Sequence, residues 1–144
     1  MISNGPNGPD FVDFKINVKV KLSALWAAVM MLYTYGDQLK FYKPGQLDKI
    51  ISGTMGPLGQ TTEGLILGIA VLMSIPAAMV FLSLALKPTV SRWLNIIFGT
   101  FFTGIMLLTF LTGAWSYYYY LGVVENIMTV LIIWYAWNWP REGA

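Results

Sequence analysis

The chain has 144 residues, 56% of them apolar and 11% charged, with a formal net charge of +2. It contains no histidine and no cysteine, which removes the usual haem ligands, thiolate clusters, disulfides and the side chain that titrates near neutral pH. The near-neutral charge gives no footprint for nucleic acid, and scarce charge separating long apolar blocks is the composition of an integral membrane protein.

In chain order, the start MISNGPNGPDFVD is rich in Gly, Pro and Asn. Residues 1–14 are expected to form a mobile tail without a cleavable signal, and residues 141–144 a short C-terminal tail. Residues 15–140 read as one domain with four apolar segments, at about 22–37, 64–86, 93–112 and 117–137. Crossing a hydrocarbon core of about 30 Å takes roughly 20 helical residues. The first segment is short and reaches further if Lys19, Lys21 or Lys40 extends toward the headgroups. No run of short alternating segments suggests a barrel, and backbone satisfied within each segment leaves helices.

The links KPTVSR and GAWS are short enough to make consecutive spans antiparallel neighbours. The expected fold is therefore all-α, an integral membrane four-helix bundle of up-down topology. In the long first loop, Leu47, Ile50 and Ile51 share one side of a short helix starting near Pro44, which suits the membrane interface. Thr61 or Thr62 can cap the second span, with Glu63 at the positive helix end. Pro76 frees the carbonyl of Leu72 and is expected to kink that span.

Lys15, Lys19, Lys21, Lys87, Arg92 and Arg141 fall at one side of such a bundle. Lys40, Lys43 and Lys49 fall at the other, mixed with Asp37, Asp48 and Glu63. The bias places both termini in the cytoplasm. Trp93, Trp134, Trp137 and Trp139 then form an inner aromatic belt, and Tyr33, Tyr35, Tyr42, Trp115 and Tyr117 to Tyr120 an outer one.

Glu125 stands in the middle of the fourth segment. A charge at that depth costs about 2.5–3.5 kcal/mol on insertion scales and marks a functional candidate. On a helix it shares a face with Tyr118, Gly122, Asn126 and Thr129, the glycine opening space beside the acid. Thr103 and Gly104 lie at the same depth on the third span. Trp26, Met30, Tyr33 and Asp37 line a face of the first. With Asp37 and Glu63, these residues outline an acidic, aromatic pocket opening outward, suited to a small cationic or neutral molecule. Three readings of Glu125 stay open: a binding or proton-coupling centre, a protonated acid joining two helices through one hydrogen bond worth about 0.6 kcal/mol, or an acid facing lipid or an assembly interface.

Gly64, Gly68, Ala70, Ser74 and Ala78 give the second span a small-residue face for helix packing, and with it the possibility of a homo-oligomer. No catalytic set, metal spacing or cofactor motif is recognisable, so the expectation is a non-enzyme without cofactor whose partner is the lipid bilayer.

The segments KINVKVKLSALWAAVMMLYTYGD, GTMGPLGQTTEG, LKPTVSRWLNII and IIWYAWNWP together resemble a family of small bacterial four-span proteins described only as a domain of unknown function, DUF6326. The resemblance covers Lys15 to Pro140. It implies a multi-pass protein of the bacterial inner membrane and supplies no activity and no catalytic residues. The chain is also similar in architecture to the small multidrug resistance transporters, but their essential acid lies in the first span, where this sequence has only Asp37 near the end.

Overall fold

The computed structural model describes residues 14–140, so the expected C-terminal tail, including Arg141, and all but Phe14 of the expected N-terminal tail lie outside the described residues. The described part is all-α: α1 Val18–Phe41, α2 Gln46–Ile51, α3 Glu63–Ala85, α4 Pro88–Phe110 and α5 Ser116–Trp137. A single 3-10 turn, Gly56–Leu58, and one isolated bridge between Thr54 and Gln60 shape the first loop.

Local chemistry sets the helix ends. Asn17 caps α1, its side chain accepting from the Lys19 amide at 2.9 Å. Thr62 caps α3 by accepting from the Leu65 amide at 3.2 Å, as expected of a hydroxyl just ahead of a helix. Pro88 opens α4 at a position where its missing N–H is no loss. That is why α4 starts five residues before the apolar segment predicted from Trp93: the first turn is polar but helical. Gly113, with φ 72°, turns the chain toward α5 at no steric cost.

Three helices, α3, α4 and α5, are long and apolar enough to cross a membrane. α1 is equally long at 24 residues but falls outside that set, because Lys19, Lys21, Asp37 and Lys40 all lie within it. α1 packs on α3 and α5, and α4 packs on α5 and α3. Lys19 Nζ donates to the last carbonyls of α3, Leu84 O at 3.1 Å and Leu86 O at 2.6 Å. Arg92 Nε donates to Ala136 O at 3.1 Å. The starts of α1 and α4 therefore meet the ends of α3 and α5.

The core is narrow: Leu22, Trp26 and Val29 of α1, Met79 of α3, Phe102 of α4, and Ile132 and Ala136 of α5. Outside it the surface is strongly apolar, with Phe81 68% and Leu108 64% exposed. Apolar exposure on this scale suits a lipid environment rather than water. α4 and α5 pack tightly at two glycines. A Cβ at Gly99 would come within 2.9 Å of Ile133 Cγ1, and one at Gly122 within 2.5 Å of Phe110 Cε1.

The small-residue face of α3 has no part in this packing. Gly64, Gly68, Ala70, Ser74 and Ala78 are all exposed, and nothing lies within 4 Å of a Cβ built at either glycine. The buried positions of α3 are Pro76, Met79 and Ser83 instead. Pro76 is thus a core residue, set against the helix surface that the small-residue pattern did not mark.

Candidate functional site

Two polar clusters interrupt the apolar interior. The first centres on Asn95, which is fully buried. Its Oδ1 accepts from Trp26 Nε1 at 2.7 Å and Ser83 Oγ at 3.2 Å, while its Nδ2 donates to Ser91 O at 2.8 Å. Ser91 Oγ in turn donates to Ser83 O at 3.1 Å. This network ties α1, α3 and α4 together with its donors used, and Lys19, Lys21 and Arg92 at the same end are engaged as well. Arg92 also lies over the Trp93 and Trp137 rings at 5.5 and 5.8 Å, and Lys21 over Tyr135 at 5.0 Å.

The second cluster centres on Glu125. The buried residues of α5 are Gly122, Glu125, Thr129, Ile132 and Ala136, spaced as one inward-turned face. Glu125 is 3% exposed, and its Oε2 is buried without a hydrogen-bond partner among the described residues. The charges of Asp37 and Lys40 both reach it, and Tyr33 lies within charge range of Glu125 and Tyr118. Asp37 and Lys40 form an ion pair of 2.7 Å three residues apart on α1. Burial acts to lower the Lys40 pKa, but the hydrogen bond and charge of Asp37 outweigh it and hold the ammonium above the usual lysine value. Lys40 Nζ lies 5.4 Å from the centre of the Tyr118 ring.

The expected site residues therefore divide. Asp37 and Tyr118 meet at Lys40, to which sequence reasoning gave no site role, and Glu125 and Tyr33 are joined to this group only through charge. Trp26 stays outside it: it is fully buried and spent on Asn95. Phe102 separates the two clusters, with Trp26 edge-on at 6.0 Å and Tyr33 tilted at 6.2 Å. Thr103 and Thr129 pair with each other across α4 and α5. Their hydroxyls are 2.7 Å apart, and each also reaches a carbonyl, Gly99 O at 2.8 Å and Asn126 O at 3.1 Å. Glu63 is exposed in the first turn of α3, and no hydrogen bond or ion pair joins it to Glu125 among the described residues.

Two details overturn the expected pocket geometry. Gly122 opens no space beside the acid, because the Phe110 ring and Met106 Sδ fill it. Asn126 sits to the side of the inward face and lines an apolar groove of about 400 Å³ with Leu107, Phe110, Val123, Ile127, Val130 and Leu131. Its Oδ1 is buried without a hydrogen-bond partner among the described residues. A second groove of about 570 Å³ runs between α1 and α3 past Met30, Thr34 and Gln38. Neither groove is lined by Glu125.

Sequence reasoning also missed the Asn95 network and Tyr119, whose hydroxyl donates to Phe110 O at 3.3 Å and accepts from the Ala114 amide at 3.1 Å. An asparagine inside an apolar span and a serine four residues earlier were the available sign, since a buried amide needs partners. For Lys40, the sign was its spacing from Asp37.

No curated protein and no solved structure matches the chain. The match to the family of unknown function DUF6326 extends over residues 10–144, and the chain belongs to that family.

Proposed function

We propose that the chain is a four-span protein of the bacterial inner membrane that binds or moves a small molecule, with Glu125 as its protonatable centre. In this reading α1 joins α3, α4 and α5 in the bilayer, its lysines extending toward the headgroups from both ends. Both termini face the cytoplasm, where Lys15, Lys19, Lys21, Lys87 and Arg92 gather, and α2 lies on the opposite surface.

The observation that carries the reading is the buried, unpartnered Oε2 of Glu125. A buried polar atom left unpaired costs about 1–3 kcal/mol, and a helix joint would spend its carboxyl on a partner. Tyr33 and Tyr118 beside it offer aromatic faces, and Asp37 offers a second carboxyl. No catalytic set is assigned. The test is labelling by a lipophilic carbodiimide, which attacks protonated carboxyls within membranes, read by mass spectrometry on the purified protein in lipid. The expected result is one modified site, at Glu125, with labelling that falls as pH rises and is absent from Glu125→Gln. Failure of Glu125 to react at any pH would rule the reading out.

A second reading, self-association through α3, is favoured by the face Gly64, Gly68, Ala70, Ser74 and Ala78, which is exposed among the described residues. It predicts an oligomer in mild detergent that Ala70→Leu or Ser74→Leu breaks up. A wild-type monomer by light scattering would remove it.

A further inference from the structure

Two basic side chains close helix ends, and they use their donors unequally. Lys19 Nζ, with three N–H groups, donates to both Leu84 O and Leu86 O. Arg92 gives only its Nε–H, to Ala136 O at 3.1 Å. A guanidinium has five N–H donors, and the four on Nη1 and Nη2 meet no acceptor among the described residues. The group is nevertheless held in place. Its central carbon lies 5.5 Å from the centre of the Trp93 ring and 5.8 Å from that of Trp137. One hydrogen bond and two aromatic contacts, drawn from α4 and from the last turn of α5, restrict its plane. A planar fork fixed at Nε and open along its Nη edge is suited to a phosphate, which it meets through two parallel N–H···O bonds.

No carboxylate at this end offers the fork a counter-ion. Among the described residues, Asp37, Asp48 and Glu63 lie at the opposite end and Glu125 within the span of α5. The ion pair of the described residues joins Lys40 to Asp37, far from Arg92 in the fold. Lys15, Lys19, Lys21 and Lys87 share the end that holds Arg92, so its positive charge is uncompensated there. We infer that Arg92, flanked by Trp93 and Trp137, is a binding position for the phosphate of an anionic glycerophospholipid. The inference is independent of Glu125 and rests only on the reading of the chain as membrane-spanning.

The surroundings favour a lipid over a soluble phosphate. Trp93 and Trp137 are exposed, as are Ile97, one turn after Trp93, and Trp134, one turn before Trp137. These two rows carry an apolar surface from the guanidinium toward the middle of the helices, where acyl chains can lie. Tryptophan flanking the group also suits the headgroup level of a bilayer. A zwitterionic headgroup would bring its own ammonium among these cations, with no carboxylate at this end of the described residues to receive it. A soluble phosphate would gain nothing from the apolar rows.

The experiment is native mass spectrometry of the full chain in mild detergent, titrated with dioleoyl phosphatidylglycerol and, separately, dioleoyl phosphatidylcholine. The wild type is expected to bind its first phosphatidylglycerol about tenfold more tightly than phosphatidylcholine, as one charge-assisted contact would give. Arg92→Gln removes that preference, and Arg92→Lys, which keeps the charge without the fork, loses most of it. Trp137→Leu leaves the Ala136 bond in place and weakens the preference, which keeps the test open if Arg92→Gln does not fold. Lys87→Gln removes the same charge from the same end and leaves the preference unchanged. A wild type without preference overturns the inference. So does a loss in Lys87→Gln as large as in Arg92→Gln, since the attraction would then belong to the basic end as a whole. Displacement of phosphatidylglycerol by glycerol 3-phosphate, beyond that by sodium chloride of equal ionic strength, would assign the fork to a soluble phosphate and overturn the lipid. None of these variants alters Glu125, so carbodiimide labelling stands or falls separately.

Discussion

The Asn95 and Glu125 clusters are the same kind of feature in sequence, polar residues inside apolar helices, yet they differ in what is left over. Asn95 receives two donors and gives both amide hydrogens to Ser91. Glu125 keeps a buried oxygen with no hydrogen-bond partner among the described residues. A saturated buried network rigidifies a core, and an unsaturated one has capacity for something else. The difference separates a structural joint from a candidate site more sharply than depth or residue type does. The basic groups divide by end: Lys19 and Arg92 close the carbonyl ends of α3 and α5, while Lys40 rests on a neighbouring acid.

Substitutions can break this comparison. The largest effect is expected at Asn95. Asn95→Leu strands the Trp26 Nε1–H and removes the acceptor of Ser83 Oγ, and each buried group left unpaired costs about 1–3 kcal/mol. The expected loss is about 3 kcal/mol by unfolding titration in mixed micelles. A loss below about 1 kcal/mol would mean the network is ornamental.

Next comes the close approach of α4 and α5. Gly122→Leu must push Phe110 and Met106 aside, and overpacking of this sort costs about 1–3 kcal/mol. An unchanged unfolding midpoint would restore the open space beside Glu125 that the sequence suggested. The smallest effect is expected at the threonine pair. Thr103→Val removes one interhelical hydrogen bond worth about 0.6 kcal/mol, and a much larger loss would draw Thr103 into a role beyond bridging helices.

Much of the fold could be read from hydropathy and turn chemistry. The segments at 64–86 and 117–137 differ from α3 and α5 by a residue at most at each end, and the Thr62 cap and the short loop helix α2 were both foreseen. Hydropathy failed where a helix is amphipathic at its end: it placed the start of α4 at Trp93 and truncated α1 at both ends. Small-residue spacing marked a face of α3 that is exposed in the single chain, because a narrow stripe can serve a neighbour, lipid or another chain equally well. At the site, helical spacing put Gly122, Glu125 and Thr129 on one buried face of α5, as the structure has them. It put Trp26 and Asn126 with them wrongly, since spacing gives a face to within about a quarter-turn and says nothing of which donor each side chain will find. Lys40 escaped notice because a lysine at a helix end has an ordinary explanation until its partners are known.

The central claim, that Glu125 is held in place by packing and contributes no net stability through its carboxyl, has one direct test: the unfolding free energy of Glu125→Leu beside that of Asn95→Leu in the same micelles. Removing an unpaired buried carboxyl in favour of an apolar side chain of similar volume is expected to leave the protein as stable as wild type or more so. A loss for Glu125→Leu as large as that of Asn95→Leu would contradict the account and make Glu125 a structural joint.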